Sequence, residues 1–237
     1  MIRIKIRDAA RSSIVLLALP LLLTGCRGAS FVEGGPEIRY LTSAPPVERM
    51  AGTKGKPLLP LTVGSRWEMR QIGIPPQKAA IIEARVVKRD GNGSLMEIRK
   101  NGQLWRRETY RDTASGLFLT AMGEDDKPLM QLSPPVPITL YPAVEGNGEA
   151  WNGTFRYAET IYPANGYSRI SALEAVSGPT GRKFAYRTDT LVAINQNGSI
   201  VKFPTLRWLT PGIGFVRRSF VEQGRPMYAE LRKFTPG

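Results

Sequence analysis

Asp90-Gly91-Asn92-Gly93, Leu95-Met96-Glu97-Ile98-Arg99, Lys100-Asn101-Gly102 and Leu104-Trp105-Arg106-Arg107-Glu108-Thr109-Tyr110 follow one another with scarcely a residue between them. Asn-Gly between two strand-like runs is the strongest short-range signal for a hairpin, because both central residues of a tight hairpin turn need positive φ. The stretch therefore reads turn, strand, turn, strand. The same rhythm extends outward. Upstream, Arg66 to Ile72 alternates after Gly64, and Ala80 to Lys88 is rich in Ile and Val. Downstream, Asp112-Thr113-Ala114-Ser115-Gly116 turns, Leu117 to Met122 returns, and Gly123-Glu124-Asp125-Asp126-Lys127 makes a polar tip before Leu129 to Leu132.

Ser133-Pro134-Pro135-Val136-Pro137 is expected to end this first meander, since proline cannot donate in an interior ladder. The second half resumes at Gly148 to Trp151. Its further runs are Thr154 to Tyr162, Tyr167 to Val176, Arg182 to Asn195 and Ser199 to Phe203, with Asn197-Gly198 as another hairpin turn. Ile213 to Glu222 and Pro226 to Phe234 form the last pair. A weak helix candidate at Ser171 to Val176 reads at least as well as strand. Turn signals every 8–12 residues mark an all-β chain. Consecutive antiparallel strands twist, and ten or more of them curl or close. The expectation is an all-β antiparallel meander forming a strongly curved sheet or an open or closed β-barrel, preceded by a signal peptide and a flexible tether.

The beginning of the chain supplies an address. Arg3, Lys5, Arg7 and Arg11 precede an apolar run from Ile14 to Leu23, and Thr24-Gly25 precede Cys26, the single cysteine. Basic, apolar, small is the order of a signal peptide. The run falls well short of the roughly 20 residues that span a bilayer. Leu23-Thr24-Gly25-Cys26 resembles the lipobox of bacterial lipoproteins. That resemblance implies cleavage before Cys26, a diacylglyceryl group on its thiol and acylation of the new amino group. It also implies an outer-membrane, periplasm-facing location if the source is Gram-negative, because Arg27 replaces the Asp that commonly signals inner-membrane retention. Residues 1–25 are then the leader and residues 26–56, rich in Gly, Pro, Ser and Thr, the lipidated cysteine and tether. Residues 57–237 form a single β-rich domain.

Composition narrows the chemistry. The net charge of +13 falls to +10 without the leader, whose four bases and one acid contribute +3. Positive charge favours anionic partners, lipid or an anionic envelope polymer among them. Export argues against nucleic acid. The bases, including Arg106, Arg107, Arg217 and Arg218, are scattered and read as a solvated surface. Histidine is absent, which removes the commonest general base and metal ligand. With the cysteine lipidated, no Cys/His zinc site is expected. No nucleophile elbow or phosphate loop is present. Asp90 to Asn101 begins like a calcium loop but lacks its glycine and final acid, so the hairpin reading prevails. No catalytic, cofactor-binding or metal-binding residue is expected. Glu124, Asp125, Asp126, Glu145 and Glu149 read as solvated turn acids.

Two further stretches carry a resemblance. Pro60-Leu61-Thr62-Val63-Gly64-Ser65-Arg66-Trp67 and Trp208-Leu209-Thr210-Pro211-Gly212-Ile213-Gly214-Phe215-Val216-Arg217 resemble the opening and near-terminal motifs of a loose group of exported bacterial proteins with uncharacterised β-rich domains. The resemblance implies architecture and no catalytic residues. Physically, Pro211-Gly212 fits a type II turn, Gly214 permits close backbone approach, and Trp67 fills the core or caps a barrel end. Trp67, Trp105, Trp151 and Trp208 admit two readings, core packing or the lining of a ligand cavity. The functional expectation is a non-enzymatic envelope lipoprotein that binds a lipid or other amphiphile. The alternative is a structural or assembly lipoprotein holding a protein partner or an anionic envelope polymer.

Overall fold

The computed structural model describes residues 55–222 and 224–237. The leader, Cys26 and nearly all of the tether lie outside them. Twelve antiparallel strands follow chain order: β1 (Arg66–Ile72), β2 (Ile81–Asp90), β3 (Gly93–Lys100), β4 (Gln103–Thr113), β5 (Gly116–Glu124), β6 (Met130–Leu140), β7 (Gly148–Tyr157), β8 (Thr160–Gly178), β9 (Gly181–Gln196), β10 (Ser199–Thr210), β11 (Gly214–Glu222) and β12 (Arg225–Thr235). A 3₁₀ turn at Pro76–Lys78 joins β1 to β2. Each strand pairs with its neighbours in sequence and β1 pairs with β12, so the sheet closes into a barrel. Among the described residues closure leaves no free edge strand.

Local chemistry places the turns. Asn101 (φ 51°) with Gly102 (φ 82°), and Asn197 (φ 53°) with Gly198 (φ 88°), supply the paired positive φ angles of tight hairpins. Gly212 (φ 77°) follows Pro211, and the Ile213 N–H donates to Thr210 O at 3.0 Å, the closing bond of a type II turn. Asp90 Oδ1 accepts from the Asn92 N–H at 2.9 Å and tightens the β2–β3 turn.

Three features differ from the sequence expectation. The proline-rich stretch does not end a meander; β6 runs through Pro134, Pro135 and Pro137. The β6–β7 ladder covers only Gln131 to Ser133. Beyond it, side chains serve the β6 carbonyls: Trp151 Nε1 donates to Pro134 O at 2.9 Å and Ser168 Oγ to Ile138 O at 2.9 Å. Prolines fit because this margin of the strand offers acceptors to side chains rather than amides to a ladder. Second, Thr154 to Tyr162 is not one strand: it breaks at Ala158-Glu159, where Ala158 takes φ 50° without help from Gly, Asn or Pro. Third, β8 runs unbroken through Gly166, since the Leu191 carbonyl comes so near that a Cβ would stand 1.9 Å from it.

Alternation sends one face of every strand inward. Trp67 and Met69, Ile82, Ala84 and Val86, and Met96 and Ile98 are fully buried on β1, β2 and β3. Ser171 to Val176 is strand, not helix, and its Glu174 meets Trp208, whose Nε1 donates to Glu174 Oε2 at 2.8 Å.

Candidate ligand site in the barrel interior

One end of the barrel is plugged. Trp67 stacks on Phe234 at 5.3 Å, meets Phe215 edge-on at 5.7 Å and donates Nε1 to Ile213 O at 2.5 Å. The two motif stretches thus meet here. A Cβ on Gly214 would lie 2.7 Å from Leu59 and 3.0 Å from Trp67 Nε1, so glycine is required for that meeting. Pro57 O accepts from the Gly212 N–H at 2.8 Å, which brings the chain into the barrel at this end.

The opposite end carries the β5–β6, β7–β8 and β9–β10 turns. Strand alternation points Met122, Met130, Tyr162, Val201 and Phe203 inward, yet all five stay half-exposed. They surround buried Leu132, Phe155, Val192 and Ile194. Apolar side chains that face a barrel interior and still meet solvent form a mouth. Its other wall carries two bases and the acid Glu222. Trp105 and Phe220 lie 5.1 Å apart, Arg106 sits 4.6 Å over the Trp105 ring, and Lys100 sits 5.5 Å over it and pairs with Glu222.

Below the mouth lies a buried polar level. Glu108 accepts from Arg218 Nη2 at 2.5 Å and from the Tyr110 hydroxyl at 2.7 Å. The Arg218 guanidinium lies 4.9 Å from the Phe215 ring and 4.5 Å from the Phe220 ring. Burial alone would raise the Glu108 carboxyl; the Arg218 charge and hydrogen bond, with Arg207 and Tyr110, outweigh it and hold it at about 2. Burial, then the Glu108 charge, pushes the Tyr110 hydroxyl up. Arg207 Nη1 donates to Thr190 Oγ1 at 3.2 Å, Thr190 meets Ser168 Oγ at 3.0 Å, and Ser168 reaches β6 through Ile138 O. A polar chain therefore crosses from β10 to β6.

The four tryptophans do not converge. Trp67 plugs the closed end, Trp105 stands at the mouth, Trp151 spans the β6–β7 seam and Trp208 lies against Glu174. The interior bases were not apparent from the sequence: Arg218 is 1% exposed and Arg207 2%, against the expectation of a solvated surface for scattered bases. Alternation carried the missing signal, since Thr205, Arg207 and Leu209 share the inward face of β10. Outside, a solvent-open depression of about 430 Å³ flanks the seam between Gly148, Glu149, Ala150, Tyr167, Ser168 and Arg169. Among the described residues no group of acidic side chains is arranged to hold a metal ion. Cys26 lies outside the described residues.

No protein-family model matches the chain, and no curated protein matches it. Two solved structures are similar to it. One, described as a presumed lipoprotein of Parabacteroides distasonis, is 11% identical with a TM-score of 0.41 and covers 76% of this chain and 99% of its own. The other, a presumed exported protein with a YmcC-like fold from Bacteroides fragilis, is 13% identical with a TM-score of 0.45 and covers 75% of this chain and 98% of its own. Likeness of this degree assigns no residue and no ligand.

Proposed function

We propose that this chain is an acyl-anchored lipoprotein of the cell envelope, outer-membrane and periplasm-facing in a Gram-negative source, whose barrel binds an amphiphile without catalysing a reaction. The anchor rests on the lipobox resemblance at Cys26. The binding rests on the mouth: Met122, Met130, Tyr162, Val201 and Phe203 face inward, remain half-exposed, and stand opposite the Lys100–Trp105–Arg106 wall. An apolar chain lowers its free energy against the first group by about 25 cal/mol for each Å² removed from water. An anionic head is attracted to the second.

The test compares lipid content. The full lipoprotein is extracted in a neutral detergent, and retained lipid is removed in organic solvent and identified by mass spectrometry. Lipid bound at the mouth is present in the wild type and lost in Phe203→Asp and Met122→Asp. Equal lipid in all three proteins would sink the reading.

A second reading has its own observation. Tyr157, Ile161 and Ile200 are 36%, 53% and 65% exposed on the neighbouring β7–β8 and β9–β10 hairpins. Ile161 and Ile200 lie on the outward faces of their strands, where they offer apolar contact to a protein partner. Crosslinking from position 200 in intact cells recovers that partner; recovery of monomer alone removes the reading.

A further inference from the structure

Thr188, Arg207 and Arg218 occupy one row of the barrel wall. Arg207 is the register partner of Thr188 on β9 and of Arg218 on β11. Directly opposed residues of an antiparallel pair point to the same face, with Cβ atoms roughly 4.5–5.5 Å apart. All three face inward, and all three are at most 2% exposed. Each also has a buried donor that meets no acceptor within the protein: Thr188 Oγ1, Arg207 Nε, and Nε and Nη1 of Arg218. Arg106 Nε, toward the mouth, is a further one.

Charge gives the same direction. Opposed like charges on adjacent strands repel. Glu108 is the carboxylate hydrogen-bonded to Arg218, and Arg207 reaches it only through space. Two guanidiniums then share one carboxylate, so a positive charge is left over in a site where charges ordinarily occur paired. A water molecule would satisfy the donors and leave the charge uncompensated. An oxyanion would do both, since guanidinium groups match carboxylate and phosphate oxygens in geometry.

We propose that the barrel interior binds an oxyanion group, a phosphate or carboxylate, between Thr188, Arg207 and Arg218. The aromatic rings of Phe215 and Phe220 lie over Arg218. The anion is either free in solution or the head of an amphiphile entered through the mouth. The proposal does not depend on amphiphile binding.

The experiment uses the full lipoprotein in neutral detergent, stripped of lipid and dialysed into a phosphate-free zwitterionic buffer. Inorganic phosphate is titrated at constant ionic strength while Tm is recorded. A ligand that binds only the folded state raises Tm with the logarithm of its concentration above Kd. The wild type shows that rise. Arg207→Met loses about tenfold or more in phosphate affinity, the size of a charge-assisted hydrogen bond. Thr188→Val, nearly isosteric, loses several-fold, and it carries the test if Arg207→Met does not fold cooperatively. A wild-type Tm indifferent to phosphate, or an equal rise in both variants, overturns the proposal. The source is separated in the unstripped protein. Retained phospholipid that blocks phosphate until it is removed identifies a lipid head. Phosphate binding with no retained lipid identifies a free anion; it sustains this site and removes the amphiphile reading.

Discussion

Glu108 ties the interior together, and its ionisation makes the fold sensitive to acid. Its carboxyl titrates near 2 in the folded chain against 4.5 for a free side chain. Above about 4.5 it is charged in both states and its full contribution is present. As pH falls from there, the unfolded chain takes up the proton and the folded chain does not, so stability drops until pH passes below about 2. The depression corresponds to a few kcal/mol, on the order of 3. Glu108→Gln removes this component of the acid dependence between pH 4.5 and 2. At neutral pH it costs about 3–5 kcal/mol, because Arg218 is left buried without its counter-charge. Urea midpoints measured across that pH range check both statements; a variant that keeps the wild-type acid slope refutes the assignment. The residue was legible only as part of the Leu104 to Tyr110 strand. What makes it special is Arg218, 110 positions away, and neither local pattern nor composition carries that pairing.

At the scale of the element, turns made by local chemistry were legible and elements shaped by a neighbour were not. Asn101-Gly102, Asn197-Gly198 and Pro211-Gly212 follow from the φ angles their residues accept. The prolines of β6 misled because the rule against proline assumes a ladder on both sides, and beyond Ser133 the β7 side has none. Ala158-Glu159 bears no turn residue, so local pattern places it within a strand. The interval between Tyr162 and Tyr167 is the opposite case: the sequence leaves it out of the runs, whereas β8 continues through it, and Gly166 there marks close approach of β9. Gly166→Ala puts a Cβ 1.9 Å from a main-chain carbonyl that cannot rotate away, so the β8–β9 ladder must shift. The expected cost lies at or above the upper end of the ~1–3 kcal/mol for overpacking. Gly91→Ala is the control, since nothing stands within 4 Å of its Cβ and its φ is not left-handed. That variant stays within about 0.5 kcal/mol of the wild type. Equal denaturant midpoints for the two variants would contradict the steric account.

Charge and attachment belong to the whole molecule, and they offer two competing ways to hold it at a membrane. The chain without its leader carries +10, enough for electrostatic adhesion to anionic lipid. Such adhesion weakens with salt, as the screening length falls from about 8 Å at physiological ionic strength to about 3 Å at 1 M. Acyl chains behave otherwise. Each buried CH₂ contributes about 0.8 kcal/mol, and two or three chains on one residue anchor stably where one is marginal. Salt therefore separates the two. We predict that the wild-type protein stays with membranes washed in 1 M sodium chloride. Its mature mass should begin at Cys26 and include the lipid. Replacing residues 1–26 with an ordinary cleavable export leader keeps the charge and the barrel and removes the thiol. That protein should leave the membrane completely in the same wash, with an unchanged Tm. Release of the wild type by salt would mean that charge alone holds it and that Cys26 carries no lipid. Retention of the exchanged protein would move attachment to the barrel itself, where the exposed Tyr157, Ile161 and Ile200 are the apolar side chains to mutate next.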